Sequence, residues 1–197
     1  MRFSTLCFLA FPPSALVADE RSVPTFASNL DLPVVESRET HEPYASYCNR
    51  HPDHCDLSGP RLVEFTRNTL QVLKSTNTAA NQSINYSMTD KELYGLEEYW
   101  AFPSDGFGDC EDIALYKRER LVELGLPRGA MTIAIVHHRA NMSPHAVLLI
   151  ETTAGTYLLN SFTDDVVLWH EAPYNFETRE RPDGFWERFD QDIWTYE

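Results

Sequence analysis

From Pro60 onward the chain carries apolar and small residues at helical spacing. Leu62, Phe65, Thr66, Thr69, Leu70, Val72 and Leu73 recur three and four apart, and the pattern runs on through Ala79, Ala80 and Ile84. That period lines one face of an amphipathic helix. A second helix is expected from Asp109, with Cys110, Ile113, Ala114, Leu121 and Leu124 mainly on one face and Gly125 and Pro127 as its stop. Between the two, residues 85–108 are turn-rich and aromatic and read as a structured loop. After the second helix the period changes to that of strands. Residues 131–137 are apolar and β-branched, 146–151 are a continuous apolar run, and 156–159 follow the turn at Ala154 and Gly155. Residues 166–169 and 185–196 read as further strands. Helices first and antiparallel strands afterwards indicate an α+β domain over residues 60–197, its N-terminal helices packed on the sheet. Residues 21–59 show little periodicity and read as an extended N-terminal segment.

Composition narrows the function. The 197 residues suit one domain, and 43% apolar residues supply a core. Thirty acidic residues against sixteen basic ones give a net charge of −14. This excludes the basic surface that nucleic acid or an anionic membrane requires. It leaves room for cationic partners and for a divalent cation. No apolar run approaches the roughly 18 residues of a membrane span. Residues 1–20 read as a secretory signal peptide: Arg2, a short apolar run at 6–11 cut by Pro12 and Pro13, small residues, then Asp19 and Glu20. In an exported chain Cys48 and Cys55 are natural disulfide partners. Unpaired thiols, or a zinc site completed by His51 and His54, are the alternatives.

The most informative segment is Gly106-Phe-Gly-Asp-Cys-Glu-Asp-Ile. A cysteine at a helix start meets unpaired N–H groups and the positive end of the dipole, both of which favour thiolate. Asp109, Glu111 and Asp112 act against this, since negative charge beside a thiol raises its pKa. A bound hard cation such as calcium would neutralise them. Equally, they are ordinary first-turn carboxylates that need no metal. A nucleophile needs a base. His145, opening the apolar strand, is the first candidate, with His137 and His138 behind it. Asn160 closes the next strand, where it can reach the far nitrogen of the imidazole.

These residues resemble a known family. FGDCEDIALYKRERLVELGLP, SPHAVLLIETTAGTYLLNSFTDDVVLW, the upstream NYSMTDKELYGLEEYWAFPSDGFGDC and the CNRHPDHC segment are similar to bacterial transglutaminase-like cysteine proteinases over residues 44–188. The resemblance implies a papain-like or transglutaminase-like α+β fold, a Cys-His-Asp triad and a periplasmic location. It further implies calcium-dependent cleavage of a protein substrate. In the best-known branch that is a large surface adhesin, cleaved under an inner-membrane cyclic di-GMP receptor. Cys110 matches the nucleophile, His145 the base, and Asp109, Glu111 and Asp112 the calcium-associated cluster. The chain departs at one place. Where the family strand usually ends Val-Leu-Asp-Asn-Leu-Thr-Asp, this one reads Leu-Leu-Asn-Ser-Phe-Thr-Asp, so Asn160 stands at the triad aspartate. It accepts a hydrogen bond but brings no charge. Asp164 or Asp165 could reach the histidine instead. Two other activities fit the same residues: an amidase- or transglutaminase-type acyl transferase, and a catalytically weak calcium-binding interaction module.

Overall fold

The computed structural model describes residues 29–86 and 89–197; the leader expected at 1–20, with Cys7, lies outside them. Eleven named helices and strands follow in chain order: β1 (Val34–Glu39), α1 (Glu42–Arg50), α2 (Arg67–Ser83), α3 (Asp90–Tyr94), α4 (Cys110–Glu123), β2 (Met131–His138), β3 (Pro144–Thr152), β4 (Gly155–Leu159), β5 (Val166–Leu168), β6 (Tyr174–Glu180) and β7 (Phe185–Phe189). The strands form one antiparallel sheet in the order β1-β7-β6-β2-β3-β4-β5. This is the α+β arrangement that the patterning predicts. Among the described residues no helix is long and apolar enough to cross a membrane.

The sheet is covered on both faces at its centre. Ala146, Leu148 and Ile150 of β3 join Ala114, Leu115 and Leu121 of α4 in one buried cluster, with α4 packed on β3. Val147 and Leu149 point the other way, into a cluster with Leu30, Phe176 and Phe189. A strand buried on both sides has no polar face to alternate with, which is why 146–151 reads as an unbroken apolar run.

α4 is buried far beyond its apolar stripe. Glu111, Asp112, Lys117, Arg118 and Glu119 are all buried. Arg118 has no exposed side chain; it donates to Glu180 Oε2 on β6 (2.6 Å), to the His54 carbonyl (3.0 Å) and to the Tyr44 hydroxyl of α1 (3.3 Å). One guanidinium thus ties the central helix to the sheet and to the N-terminal helix. Beside it Cys48 and Cys55 are joined as a disulfide, so neither is a thiolate for the zinc alternative.

Several boundaries differ from the expectations. α2 begins at Arg67, not near Pro60. Thr66 caps it by accepting from Thr69 N–H (3.0 Å), while Val63 is drawn into a bridge with Thr152 and Leu62 is exposed. The segment read as extended holds β1 and α1. β1 is nearly all exposed and α1 buries only Tyr44 and Tyr47, so neither carries a long period. β6 went unrecognised because its buried positions include Asn175, Arg179 and Glu180, which only tertiary partners make tolerable. β7 stops at Phe189, and residues 191–193 form a 3₁₀ turn. Leu124, expected on the apolar face of α4, is 56% exposed because the helix has already ended.

Truncating one partner of a buried pair strands the other charge. Arg118→Met is expected to lower unfolding stability by about 3–5 kcal/mol, read from urea denaturation. An unchanged midpoint would mean that the pair adds nothing to the fold.

Candidate active site

Asp109 sits at the N-cap of α4, its carbonyl accepting the first helical bond from Ile113 N–H (3.0 Å). Its side chain makes no capping hydrogen bond. Before it, Gly108 is required by closeness: a Cβ there would fall 2.8 Å from Asp112 Cβ and 3.2 Å from Pro103 Cβ. The loop therefore lies tight against the first turn and presents Cys110 to β3. Cys110 Sγ accepts from Ala146 N–H (3.4 Å) and donates to Glu111 Oε2 (3.2 Å). It is the free cysteine among the described residues. The sulfur meets the backbone next to His145; no hydrogen bond joins it to the imidazole among the described contacts.

His145 is almost fully buried at the start of β3. Its Nε2 lies 2.9 Å from Asn160 Oδ1. The Asn160 amide is held by its other contacts: Oδ1 also accepts from Phe162 N–H (3.1 Å), and Nδ2 donates to the Tyr174 hydroxyl (2.8 Å). An oxygen that already takes a backbone N–H must be an acceptor toward the ring as well, so Nε2 carries the proton. Nδ1 keeps the lone pair, and it is buried without a hydrogen-bond partner. The ring of Phe162 lies flat on the imidazole, centroids 4.2 Å apart at 13°. Behind Asn160, buried Lys117 donates to its carbonyl (2.9 Å). Asp164, the alternative carboxylate, is taken by Asn81 Nδ2 (3.0 Å). Of the runner-up histidines, His137 has both nitrogens engaged, Nε2 with Glu177 and Nδ1 with the Met142 carbonyl.

Burial lowers His145 to about 4, against the Asn160 hydrogen bond. Burial first, and the Glu111 charge second, push the Cys110 thiol well above its usual value. Both shifts oppose a thiolate–imidazolium pair.

The structure brings Asp109 and Asp112 together with Asp90 from α3, their nearest oxygens within 4.8 Å of one another. A second grouping joins Glu111 to Asp90 and Glu98. Asp90 Oδ1, Asp109 Oδ1, Glu111 Oε1 and Asp112 Oδ2 are all buried without a hydrogen-bond partner. Burial raises Asp112 to about 8 and Asp90 to about 6, against backbone donors from Ala101 and Tyr99. Burial and then the Asp109 charge hold Glu111 far above its ordinary value. Orphaned carboxylate oxygens at this spacing suit a hard cation, which takes oxygen ligands at about 2.3–2.6 Å. Asp90 and Glu98 were missed in the sequence. Asp90 looks like the start of a capped helix, since Thr89 and Glu92 form a capping box around it.

The sequence profile described as bacterial transglutaminase-like cysteine proteinase matches residues 36–193. The chain belongs to that family. It is accordingly a cysteine proteinase, whose substrate is protein. No match was found among the curated proteins. Among solved structures the chain is similar to calcium-bound LapG of Legionella pneumophila. That match has 22% identity and a TM-score of 0.53, and it covers 78% of this chain and 86% of that one. EGTA-treated LapG from the same organism aligns at 21% identity and a TM-score of 0.51, over 80% and 88% of the two chains. At such identity the likeness establishes the shared fold.

In the unreduced protein, iodoacetamide is expected to modify Cys110 and leave Cys48 and Cys55 untouched. Peptide mass spectrometry reads this, and modification of Cys48 or Cys55 would contradict the disulfide.

Proposed function

We propose that the protein is a periplasmic, calcium-dependent cysteine endopeptidase with Cys110 as nucleophile, His145 as base and Asn160 as the residue that orients the base. The observation that carries the reading is the fixed tautomer of His145: Asn160 Oδ1 holds Nε2–H and leaves the Nδ1 lone pair available. Nδ1 takes the Cys110 thiol proton and the sulfur attacks the peptide carbonyl carbon. The carbonyl oxygen becomes an oxyanion, which the Cys110 N–H can receive because first-turn amides of a helix have no intrahelical acceptor. As the tetrahedral intermediate collapses, Nδ1–H protonates the leaving amine and a thioester remains. Water, deprotonated by the same nitrogen, then hydrolyses it.

Asp109, Asp112 and Asp90, with Glu111 and Glu98 beside them, would hold calcium. When bound, the ion supplies positive charge next to the thiol, removing the Glu111 repulsion that raises it. Calcium-bound and EGTA-treated forms of a structural relative support this choice of metal. Location, substrate and control follow the family resemblance: export by the leader at residues 1–20, and release of a large surface adhesin under an inner-membrane cyclic di-GMP receptor. Fractionation of cells carrying a tagged chain tests the first; recovery in the cytoplasm would overturn it.

A peptide library digested with the purified chain tests the activity. Cleavage is expected with calcium and is expected to be lost in EGTA, in Cys110→Ala and in His145→Ala. Persistence in Cys110→Ala would refute the mechanism. Asn160→Ala is expected to lower cleavage by about a hundredfold or more, whereas Asn160→Asp retains or increases it. A nearly silent Asn160→Ala would remove Asn160 from the triad. In calorimetric titration, Asp112→Asn and Gly108→Ala are each expected to weaken calcium binding by about tenfold or more. Equal affinity in the Asp112 variant would put the ion elsewhere.

A further inference from the structure

Phe162 is a large apolar side chain left 57% exposed, so the core has no need of it. It nonetheless touches both partners of the His145–Asn160 hydrogen bond. Its backbone N–H donates to Asn160 Oδ1, and its ring lies face to face with the imidazole at 4.2 Å. Tyr86 meets the Phe162 ring edge-on, centroids 5.5 Å apart at 71°, and so props it in place.

The groups facing His145 come from four elements. The stretch after β4 supplies Asn160 and Phe162, β6 supplies Tyr174, α4 supplies Lys117, and β2 supplies His138. Lys117 and His138 both oppose a positive charge on the ring, as does burial itself. No carboxylate hydrogen-bonds His145 among the described residues. Asn160 offers one neutral carbonyl dipole. The remaining contacts whose electrostatics favour a cation are two aromatic rings, because the negative face of an aromatic quadrupole attracts one; Phe162, stacked at 4.2 Å and 13°, is nearer and flatter on the imidazole than Tyr174, at 5.7 Å and 36°.

We propose that Phe162 is a positioning residue for His145, its ring fixing the plane of the imidazole and stabilising the imidazolium formed when Cys110 gives up its proton. The role rests on the triad described above. It makes the aromatic ring at 162 the complement of the neutral Asn160: a triad carboxylate would supply by charge what the ring supplies by its quadrupole.

The test uses the full chain in calcium buffer, with histidine ring signals followed by NMR across pH. The variants are Phe162→Leu, which keeps apolar bulk without a π face, Phe162→Tyr, which keeps the face, and Phe162→Ala. The His145 midpoint is expected to fall by about 0.4–1.5 pH units in the Leu and Ala variants and to return in Tyr. Alkylation of Cys110 by iodoacetamide at pH 7 is expected to slow about 2- to 30-fold in the same two variants. With Asn160→Asp as background, the Leu effect should shrink. Should Phe162→Ala fail to fold, as amide spectra reveal, the Leu and Tyr variants decide. Equal midpoints in Leu, Tyr and wild type would overturn the proposal. So would a midpoint that moves while alkylation does not. The titration reads the ring contact itself, so it can fail while the Cys110→Ala and His145→Ala results stand, and the reverse.

Discussion

Everything at the site depends on the burial of α4 together with its ionisable side chains. A helix whose sequence reads Cys-Glu-Asp-Ile-Ala-Leu-Tyr-Lys-Arg-Glu-Arg would ordinarily lie on a surface. Here it runs beneath the sheet, and four of its buried ionisable groups are held by partners: Arg118 by Glu180, Glu119 by Arg128, Lys117 by the Asn160 carbonyl, and one oxygen of Asp112 by Ala101 N–H. Leaving any of these unpaired would cost several kcal/mol. The partners therefore fix the helix in rotation and along its axis. That is how a cysteine at its first residue comes to rest on the Ala146 amide, one position from the histidine.

The same burial sets an electrostatic problem. Desolvation raises the thiol and the carboxylates around it and lowers the imidazole, so the bare constellation favours a neutral Cys110 beside a neutral His145. Carboxylates arranged in this way would suppress a thiolate. Their orphaned oxygens, converging from α3 and from the first turn of α4, are grouped closely enough that a metal ion could be held there.

On the other side of the thiol the solution is neutral. Asn160 fixes the imidazole tautomer through an amide held by Phe162 N–H and Tyr174. An amide orients a ring as well as a carboxylate does, because orientation depends on hydrogen-bond direction. It does not stabilise charge equally, because a dipole's field is weaker than that of a full charge. The aromatic ring stacked on His145 sits where that difference is felt.

The local sequence determined what has a period or a chemical name. β2, β3 and β4 were legible because their apolar runs are long relative to their ends, and the start of α4 because Gly-Asp-Cys precedes a helical pattern. Cys110, His145 and Asn160 were legible as residue types at element ends, Asp109, Glu111 and Asp112 as a run of carboxylates. Tertiary structure decided the rest. β1 and α1 show too little burial to carry a pattern, and β6 hides its burial in Arg179 and Glu180, polar residues whose partners lie far along the chain. Leu62 and Phe65 fall outside α2 because the chain there is held to the sheet instead, Val63 bridging Thr152. Asp90 and Glu98 join the acidic cluster only through the path of the loop between α2 and α4. Which oxygens are left unpaired, and which face of His145 is covered, are properties of packing. A sequence records side-chain chemistry and its spacing, whereas desolvation and partner direction exist only once distant segments meet.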